Sequence, residues 1–221
     1  MPESSPVYVV RHGQTRSNLV GRYAGGSDEP LTEVGRAQIG ELALRLRDRG
    51  VAEIWTSEIA RARESAEILA EDLKAPVIRD PRLNEMAMGP WEGLTEGEVA
   101  SRYPEAYALW QERPDLVSLP ERESLAMVAR RIAAALSDAA RRSQPVLLVT
   151  HVAPMRVAAL SLLGLHLCRY KEIGVSNAEC FVAEPERGDI RRLGRADSLL
   201  TEMRAEVLGP PPSTCARGVT T

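Results

Sequence analysis

The chain has 221 residues, of which 44% are hydrophobic and 27% are charged, and its formal net charge is −3. This composition is typical of a folded protein with one large or two small domains. A slightly acidic chain offers no general electrostatic attraction for nucleic acid or for an anionic membrane surface, so we expect neither as a partner.

Cysteine usage and apolar runs bear on the compartment. The three cysteines lack metal-ligand spacing and are odd in number, which favours a reduced compartment. The first six residues carry neither the basic nor the apolar region of a signal peptide. The longest apolar run, near 157–167, is too short and too interrupted to span a bilayer. These features predict a cytoplasmic protein.

The first predicted strand covers 7–10 and leads directly into Arg11, His12 and Gly13. Its β-branched and aromatic residues indicate a buried strand, and Gly13 permits a tight turn and a close approach of the backbone to a ligand. Residues 16–30 are predicted to be an ordered loop. A helix follows, with Thr32 as its N-cap and Gly50 after its last turn.

The next elements alternate between strand and helix. Residues 51–56 predict a strand, Thr56 and Ser57 can cap a helix that runs to about Leu73, and 76–79 predict a third strand. This alternation is the βαβ pattern of a mostly parallel sheet. Residues 80–93 are rich in glycine and proline and predict an irregular segment.

The remaining elements complete one domain over 1–194. Residues 91–123 predict an insertion over the ligand end of the sheet, with short helices at about 96–103 and 105–111, and 124–142 predict an amphipathic helix. Residues 145–150 predict a central strand, about 154–163 a helix, and 178–184 an antiparallel strand at the edge. Residues 195–221 predict a flexible tail. The fold class is therefore α/β, with a mostly parallel sheet between helices on both faces.

Two of the three histidines follow predicted strands. His12 ends the first strand and His151 follows the strand at 145–150. Ligands bind beyond the carboxyl ends of strands in open α/β sheets, so both imidazoles are expected at one site. Arg11 beside His12 suits a phosphate, because a guanidinium binds its oxygens while an imidazole can attack phosphorus. Alone, Arg-His-Gly equally fits a surface turn.

Two further side chains follow strands. Arg61 falls in the first turn of a predicted helix, where unpaired N–H groups favour anions. Taken alone, Arg61 fits a solvated arginine on an exposed face better. Glu85 follows the third strand, and a carboxyl near apolar groups can keep its proton and act as a general acid. The alternative for Glu85 is an N-cap or a surface ion pair.

Together these motifs resemble the histidine phosphatase superfamily, which includes the cofactor-dependent phosphoglycerate mutases. They occur in the family's order between about Val7 and Glu184. The matching segments are Arg11-His12-Gly13-Gln14-Thr15 with Asn18; Gly21-Arg22 before Asp28-Glu29-Pro30-Leu31-Thr32-Glu33-Val34-Gly35; Ser57 with Arg61-Ala62; Leu83-Asn84-Glu85 with Gly89, Trp91-Glu92-Gly93; and Val149-Thr150-His151. The resemblance implies a phosphoglycerate mutase-like three-layer α/β/α fold.

The resemblance also implies the chemistry. His12 is expected to become phosphohistidine, Glu85 to protonate the leaving group, and Arg11, Arg61 and His151 to surround the phosphoryl group. No metal and no cofactor are expected. Implied substrate-binding positions are Gly13, Thr15, Asn18, Arg22, Tyr23, Ala24 and Val152.

Two departures from the family pattern concern the pocket. Val152-Ala153 replaces the common Gly-Gly after the second histidine, which keeps a backbone N–H but predicts a tighter pocket. Residues 23–26 replace the common aromatic-Gln-Gly and leave the substrate undetermined.

Three functions stay open at this point. The spacing of 66 positions between Glu85 and His151 is closer to the phosphatases of the family than to the mutases. A phosphomonoester hydrolase is therefore expected, acting on a small ester such as a sugar phosphate, phosphoserine, phosphoglycerate or ribazole phosphate. The alternatives are a phosphoglycerate mutase-type phosphotransferase and a non-catalytic binder.

The insertion and the oligomeric state leave further alternatives. Arg102, Arg113 and Arg122 could contact an anionic substrate, although each alone fits surface charge better. Many relatives form dimers, which leaves a homodimer open.

Overall fold

The computed structural model describes residues 5–195, 198, 199 and 201. Its sheet has six strands in the order β3-β2-β4-β1-β5-β6. The strands are β1 (Val7–Arg11), β2 (Glu53–Thr56), β3 (Val77–Arg79), β4 (Val146–Thr150), β5 (Cys180–Glu184) and β6 (Asp189–Arg192). The helices are α1 (Arg16–Val20), α2 (Glu33–Leu46), α3 (Ala60–Leu73), α4 (Glu96–Arg102), α5 (Pro104–Glu112), α6 (Leu125–Ala140) and α7 (Val152–Leu162).

β1, β2, β3 and β4 run parallel to one another, whereas β5 pairs antiparallel with β1 and β6 pairs antiparallel with β5. β4 lies between β1 and β2, β2 pairs with β3, and β5 and β6 extend the sheet beyond β1. All five residues of β4 are buried, which confirms the prediction that this most apolar strand is central.

Alternate side chains of β1 enter two different cores. Tyr8 and Val10 pack with α2 and α3 on one face, whereas Val7 and Val9 pack with α6 and α7 on the other. The predicted three-layer α/β/α architecture is therefore confirmed. The carboxyl ends of β1 and β4 meet at the centre of one sheet edge, as the strand pattern predicts.

Three helices differ from the sequence predictions. The loop at 16–30 contains α1, because the Thr15 hydroxyl caps the Asn18 N–H and the Asn18 side chain caps the Thr15 N–H. α3 begins at Ala60, four residues after Thr56, so Thr56 and Ser57 are not its N-cap. α7 begins at Val152 instead of Pro154.

The edge position predicted for the late strand is wrong, although its antiparallel pairing is confirmed. β6 pairs with the outer side of β5 across the turn at Pro185–Arg187. The polar sequence Asp-Ile-Arg-Arg conceals β6, because only Ile190 is fully buried.

The predicted insertion contributes to the larger core through Trp91, Val99, Trp110 and Val117. The predicted tail at 195–221 lies almost wholly outside the described residues, and of those described there, Leu199 is buried. Among the helices that the structure describes, none has both the length and the apolar character needed to cross a membrane.

Candidate active site

The two histidines that follow β1 and β4 lie side by side. Arg11 pairs with Thr150 in the parallel register, and the His12 N–H donates to the Thr150 carbonyl at 3.0 Å. The ring centroids of His12 and His151 are 5.0 Å apart, and both residues are almost fully buried. The sequence prediction that the two strands bring these imidazoles together is confirmed.

Hydrogen bonds fix the tautomer of His12. Its Nδ1 lies 2.7 Å from the Gly13 carbonyl oxygen, which can only accept, so Nδ1 carries the proton. Its Nε2 accepts from Arg61 Nε at 3.2 Å and therefore carries the lone pair. The reactive nitrogen is unprotonated and lies against a guanidinium.

Electrostatics keeps this imidazole neutral. Burial lowers the pKa of His12 well below its usual value, and the charges of Arg61 and Arg11 lower that pKa further. The hydrogen bond to Gly13 acts in the opposite direction. A neutral imidazole is the form that can act as a nucleophile.

Two buried arginines supply positive charge beside His12. Arg61 is 1% exposed, and its two terminal nitrogens donate to the carbonyls of Ser27 and Gly25, at 2.8 Å each. Arg11 donates to the Val175 carbonyl at 2.8 Å, whereas its buried Nε has no partner. Burial is the main cause of the lowered pKa of both arginines, and the Glu85 carboxylate opposes it. A fixed guanidinium with an unpaired buried donor is suited to an anion.

Ser57 orients the second histidine. The Ser57 hydroxyl donates to Asn84 Oδ1 at 2.9 Å, so at 2.8 Å it accepts from Nε2–H of His151. Nδ1 of His151 is buried without a partner. Burial, followed by the charge of Arg61, lowers the pKa of His151 well below its usual value. Nδ1 is therefore unprotonated, and its lone pair has no partner among the described residues.

We expect Ser57→Ala to lower kcat by about 10- to 100-fold, because His151 loses the bond that fixes its ring. Ser57→Thr should restore most of the activity, since it keeps the hydroxyl. Steady-state kinetics with one good ester would measure both variants. An alanine variant with full kcat would contradict this role.

The Glu85 carboxyl is anchored by backbone amides. Its Oε1 accepts from the N–H of Met86 at 2.9 Å and from that of Ala153 at 3.2 Å. Oε2 has no partner among the described residues, and Glu85 lines the same cavity as His12. One oxygen is therefore held in place while the other can exchange a proton.

A cavity of about 440 Å³ opens beside His12, whereas the fully buried His151 is not among the residues that line it. Arg11, His12, Arg61 and Glu85 line it, and so do five of the seven predicted substrate-binding positions, namely Asn18, Arg22, Tyr23, Ala24 and Val152. Asn18 Oδ1 accepts from Thr15 N–H and from Asn177 Nδ2, which leaves its own amide nitrogen for a ligand. The terminal nitrogen Nη1 of Arg22 is tied to the Gly93 carbonyl and to Glu98.

Gly13 and Thr15 are not among the residues that line the cavity. A Cβ on Gly13 would lie 2.4 Å from the Gly35 carbonyl oxygen, so the close approach predicted there is made by α2 and not by a ligand. The buried Thr15 caps α1 and thereby holds Asn18. Both residues position the site without facing the cavity.

The sequence reasoning missed several cavity residues. It also misses two supporting residues outside the cavity lining: the sequence predicts only a capping role for Ser57, and nothing in the local sequence marks Asn177. The cavity is also lined by Met86, Met88, Glu96, Trp110, Arg156, Tyr170 and Lys171. Arg156 stands on α7 four positions after Val152, a spacing that places these two cavity residues on one face of the helix.

The lowered pKa values predict a stability that depends on pH. The unfolded chain protonates His12 and His151 below about 6.5, whereas the folded chain does not, so the free energy of unfolding should rise with pH across this range. Each histidine contributes up to about 1.4 kcal/mol per pH unit. Urea denaturation between about pH 5 and pH 7 would measure the slope.

A matched pair of variants isolates this contribution. His12→Ala should show a shallower slope than the unmodified protein, and the exposed His166→Ala should not. Equal slopes for both variants would contradict the buried neutral state of His12.

Comparison with known proteins agrees with this geometry. A profile of the histidine phosphatase superfamily (branch 1) matches residues 7–197. The chain is 35% identical over 180 residues to phosphoserine phosphatase 1 of Hydrogenobacter thermophilus, covering 80% of this chain and 85% of that protein. It is 36% identical over 168 residues to a probable phosphoglycerate mutase of Proteus mirabilis, covering 72% and 75%.

Solved structures show the same fold. Bacillus stearothermophilus YhfR superposes with a TM-score of 0.80 and 28% identity, covering 88% of this chain and 98% of that chain. A mycobacterial glucosyl-3-phosphoglycerate phosphatase, solved with VO3, has a TM-score of 0.73 and 30% identity, covering 81% and 92%. The chain belongs to the histidine phosphatase superfamily.

Proposed function

We propose that this phosphatase hydrolyses a small phosphorylated metabolite through a phosphohistidine at His12. The supporting observation is the unprotonated Nε2 of His12, which lies 3.2 Å from Arg61 Nε in the cavity that Glu85 also lines. A phosphoryl group there would meet a nucleophile, fixed positive charge and a proton donor together. Phosphoryl transfer needs these elements, because its transition state spreads negative charge over the equatorial oxygens.

The first step forms the covalent intermediate. The Nε2 lone pair of His12 bonds to phosphorus, the bond from phosphorus to the ester oxygen breaks, and protonated Glu85 gives its proton to that oxygen. The ring becomes positively charged, and the Gly13 carbonyl that accepts from Nδ1–H stabilises this charge. Arg11 and Arg61 neutralise the equatorial oxygens.

The second step releases phosphate. Glu85, now ionised, removes a proton from water, and the water oxygen bonds to phosphorus as the P–N bond breaks. The electron pair returns to Nε2, which restores the neutral imidazole. His151 Nδ1 has no protein partner and can donate to a phosphoryl oxygen once it is protonated.

This mechanism needs no metal and no cofactor. Among residues 5–195, 198, 199 and 201, no cluster of three or more His, Cys, Asp or Glu side chains could hold a metal ion. The positive charge comes instead from Arg11, Arg61 and protonated His151. We therefore expect full activity in EDTA.

A phosphoglycerate mutase activity is the second candidate. It is supported by relatives such as the probable phosphoglycerate mutase of Proteus mirabilis, at 36% identity. The chemistry at His12 would be the same, with the phosphoryl group returned to a bound sugar acid instead of water. The phosphatase names of other relatives and the short spacing between Glu85 and His151 favour hydrolysis.

A panel of phosphate esters assayed in EDTA tests the proposal. The panel includes 3-phosphoglycerate with and without 2,3-bisphosphoglycerate. Phosphate release supports the hydrolase, whereas isomerisation to 2-phosphoglycerate without release makes the protein a mutase. No turnover, together with no acid-labile phosphate on His12, would overturn both and leave a binder. The cytoplasmic location and the homodimer stay predictions.

A further inference from the structure

Three cations surround one wall of the cavity. We call this the aromatic wall and define it as Tyr23, Trp110 and Tyr170, which all line the cavity. The Arg122 guanidinium lies 4.7 Å from the Trp110 ring centroid, and Lys171 Nζ lies 5.4 Å from it. Trp110 and Tyr170 stack at 5.3 Å, and the Arg156 guanidinium lies 5.0 Å from the Tyr170 centroid. None of these cations belongs to the group around His12.

Arg122 is a buried and uncompensated charge. It is 8% exposed and also stands 5.4 Å from the Trp91 ring centroid. Its one hydrogen bond runs from Nη1 to the Val117 carbonyl, while Nε and Nη2 have no partner. The expectation that it is surface charge is wrong, whereas Arg102 is exposed and Arg113 pairs with Asp115. Unpaired charge in a low-dielectric interior projects a positive potential toward whatever the wall faces.

Lys171 brings donors to the cavity itself. It lines the cavity, and Nζ donates to Gln111 Oε1, which leaves two N–H groups without partners among the described residues. Burial lowers the pKa of Lys171, and the nearby Glu96 carboxylate opposes that shift. Glu96 is already occupied, because its Oε1 accepts from the Tyr107 hydroxyl and from Gln111. The ammonium group therefore has donors to spare.

Arg156 adds positive charge on the same side. It lines the cavity, and its Nε donates to the Ile173 carbonyl at 2.8 Å. Lys171, Arg122 and Arg156 are three cations near the aromatic wall, against the two carboxylates of Glu96 and Glu85. A neutral or cationic substrate group would gain nothing from this arrangement.

We propose that the substrate carries a carboxylate in addition to its phosphate, and that this carboxylate binds Lys171 at the aromatic wall. Arg122 strengthens the interaction from behind the wall, and Arg156 strengthens it from the cavity lining. A single lysine matches the single charge of a carboxylate, whereas a second phosphoryl group would need a donor set like that around His12. This inference rests on the proposed function, since it assumes that phosphate occupies the site at His12.

Matched esters test the inference. O-phosphoserine and O-phosphoethanolamine differ only in the carboxylate. In the second pair, glycerol 3-phosphate has a hydroxymethyl group where 3-phosphoglycerate has the carboxylate. We expect kcat/KM to favour the carboxylate member of at least one pair by about 10-fold or more. Equal kcat/KM within both pairs would overturn the inference and leave the phosphatase function intact.

The two lysines of the chain supply the variant and its control. Lys171→Met should lower the ratio of kcat/KM for the carboxylate ester to kcat/KM for its partner by about 10-fold, and Lys171→Arg should retain much of that ratio. Lys74, which follows α3 and is exposed, gives the control Lys74→Met, for which the ratio and the activity should both be unchanged. A Lys171→Met enzyme with the original ratio would overturn the assignment.

A binding measurement separates this inference from the proposed function. Calorimetric titration of His12→Ala with each pair reports the preference for carboxylate without any turnover. Tighter binding of the carboxylate member, lost in His12→Ala/Lys171→Met, supports the inference even if hydrolysis is never observed. Equal affinities, or no binding of either member, would overturn it.

Discussion

Replacing His12 with alanine is expected to lower kcat/KM for every phosphate ester by about 10⁴-fold or more. In the proposed mechanism, removing the imidazole deletes the nitrogen that forms the covalent intermediate, whereas losing a group that only binds phosphate would leave residual turnover. Nε2 is unprotonated, buried and 3.2 Å from Arg61 Nε, and no other residue in the cavity offers an equivalent nucleophile. Phosphate release under saturating and limiting ester would measure the loss.

The fold should survive this substitution. Arg61 keeps its hydrogen bonds to Ser27 and Gly25, and the substitution removes one hydrogen bond between α3 and the end of β1, the one from Arg61 Nε to His12 Nε2. Circular dichroism and the melting temperature would show this. His166→Ala is the matched control, since His166 is exposed and is not among the cavity residues. Substantial turnover by a folded His12→Ala protein would refute the nucleophile assignment, as would acid-labile phosphate on that variant after mixing with substrate.

The sequence predicts the site best where an apolar strand ends directly before a site residue. β1 and β4 are continuous apolar runs that end in a polar residue, so their ends and the histidines beyond them can be placed without a structure. Parallel pairing then brings His12 and His151 together, since the carboxyl ends of such strands share one edge. Thr32 is an equally clear signal, because its hydroxyl caps the first turn of α2.

Other features depend on contacts between distant parts of the chain. Ser57 orients His151 across 94 positions, and Asn177 holds Asn18 across 159 positions, so no local pattern reveals either. The sequence does not predict β6, because this strand is polar and short and pairs on only one side. α1 is stabilised by a capping box in a segment that otherwise has the composition of a loop.

Arg122 shows why burial cannot be inferred from residue type. An arginine in a loop, two positions after a proline, is ordinarily solvated, and the sequence alone favours surface charge for Arg122. Here two indole faces remove it from water, and this requires the insertion to fold back so that Trp91 and Trp110 both reach the same guanidinium. This contact depends on tertiary structure, and it places a positive charge behind the aromatic wall, apart from the charges of Arg11 and Arg61 beside His12.

Replacing Glu85 with glutamine is expected to separate esters by their leaving groups. The kcat/KM for alkyl phosphates, which reports formation of phosphohistidine, should fall by about 10²- to 10⁴-fold, since an alkoxide leaves poorly without a proton. p-Nitrophenyl phosphate should lose much less, because its phenolate leaves readily without one. The amide keeps one oxygen for the amides of Met86 and Ala153, so the loop geometry should persist. Presteady-state bursts would separate phosphorylation of His12 from the hydrolysis that follows.

The hydrolysis step provides the decisive contrast. Glutamine cannot deprotonate water, so with p-nitrophenyl phosphate the variant should accumulate phosphohistidine and show a burst of nitrophenol equal to about one per active site. Glu92→Gln is a suitable control, because Glu92 is an exposed glutamate of the same segment that is absent from the cavity lining. Equal losses on both classes of ester, with no burst, would show that Glu85 positions the site instead of transferring the proton. The burst also identifies which half of the reaction limits the variant, a distinction that kcat alone does not make.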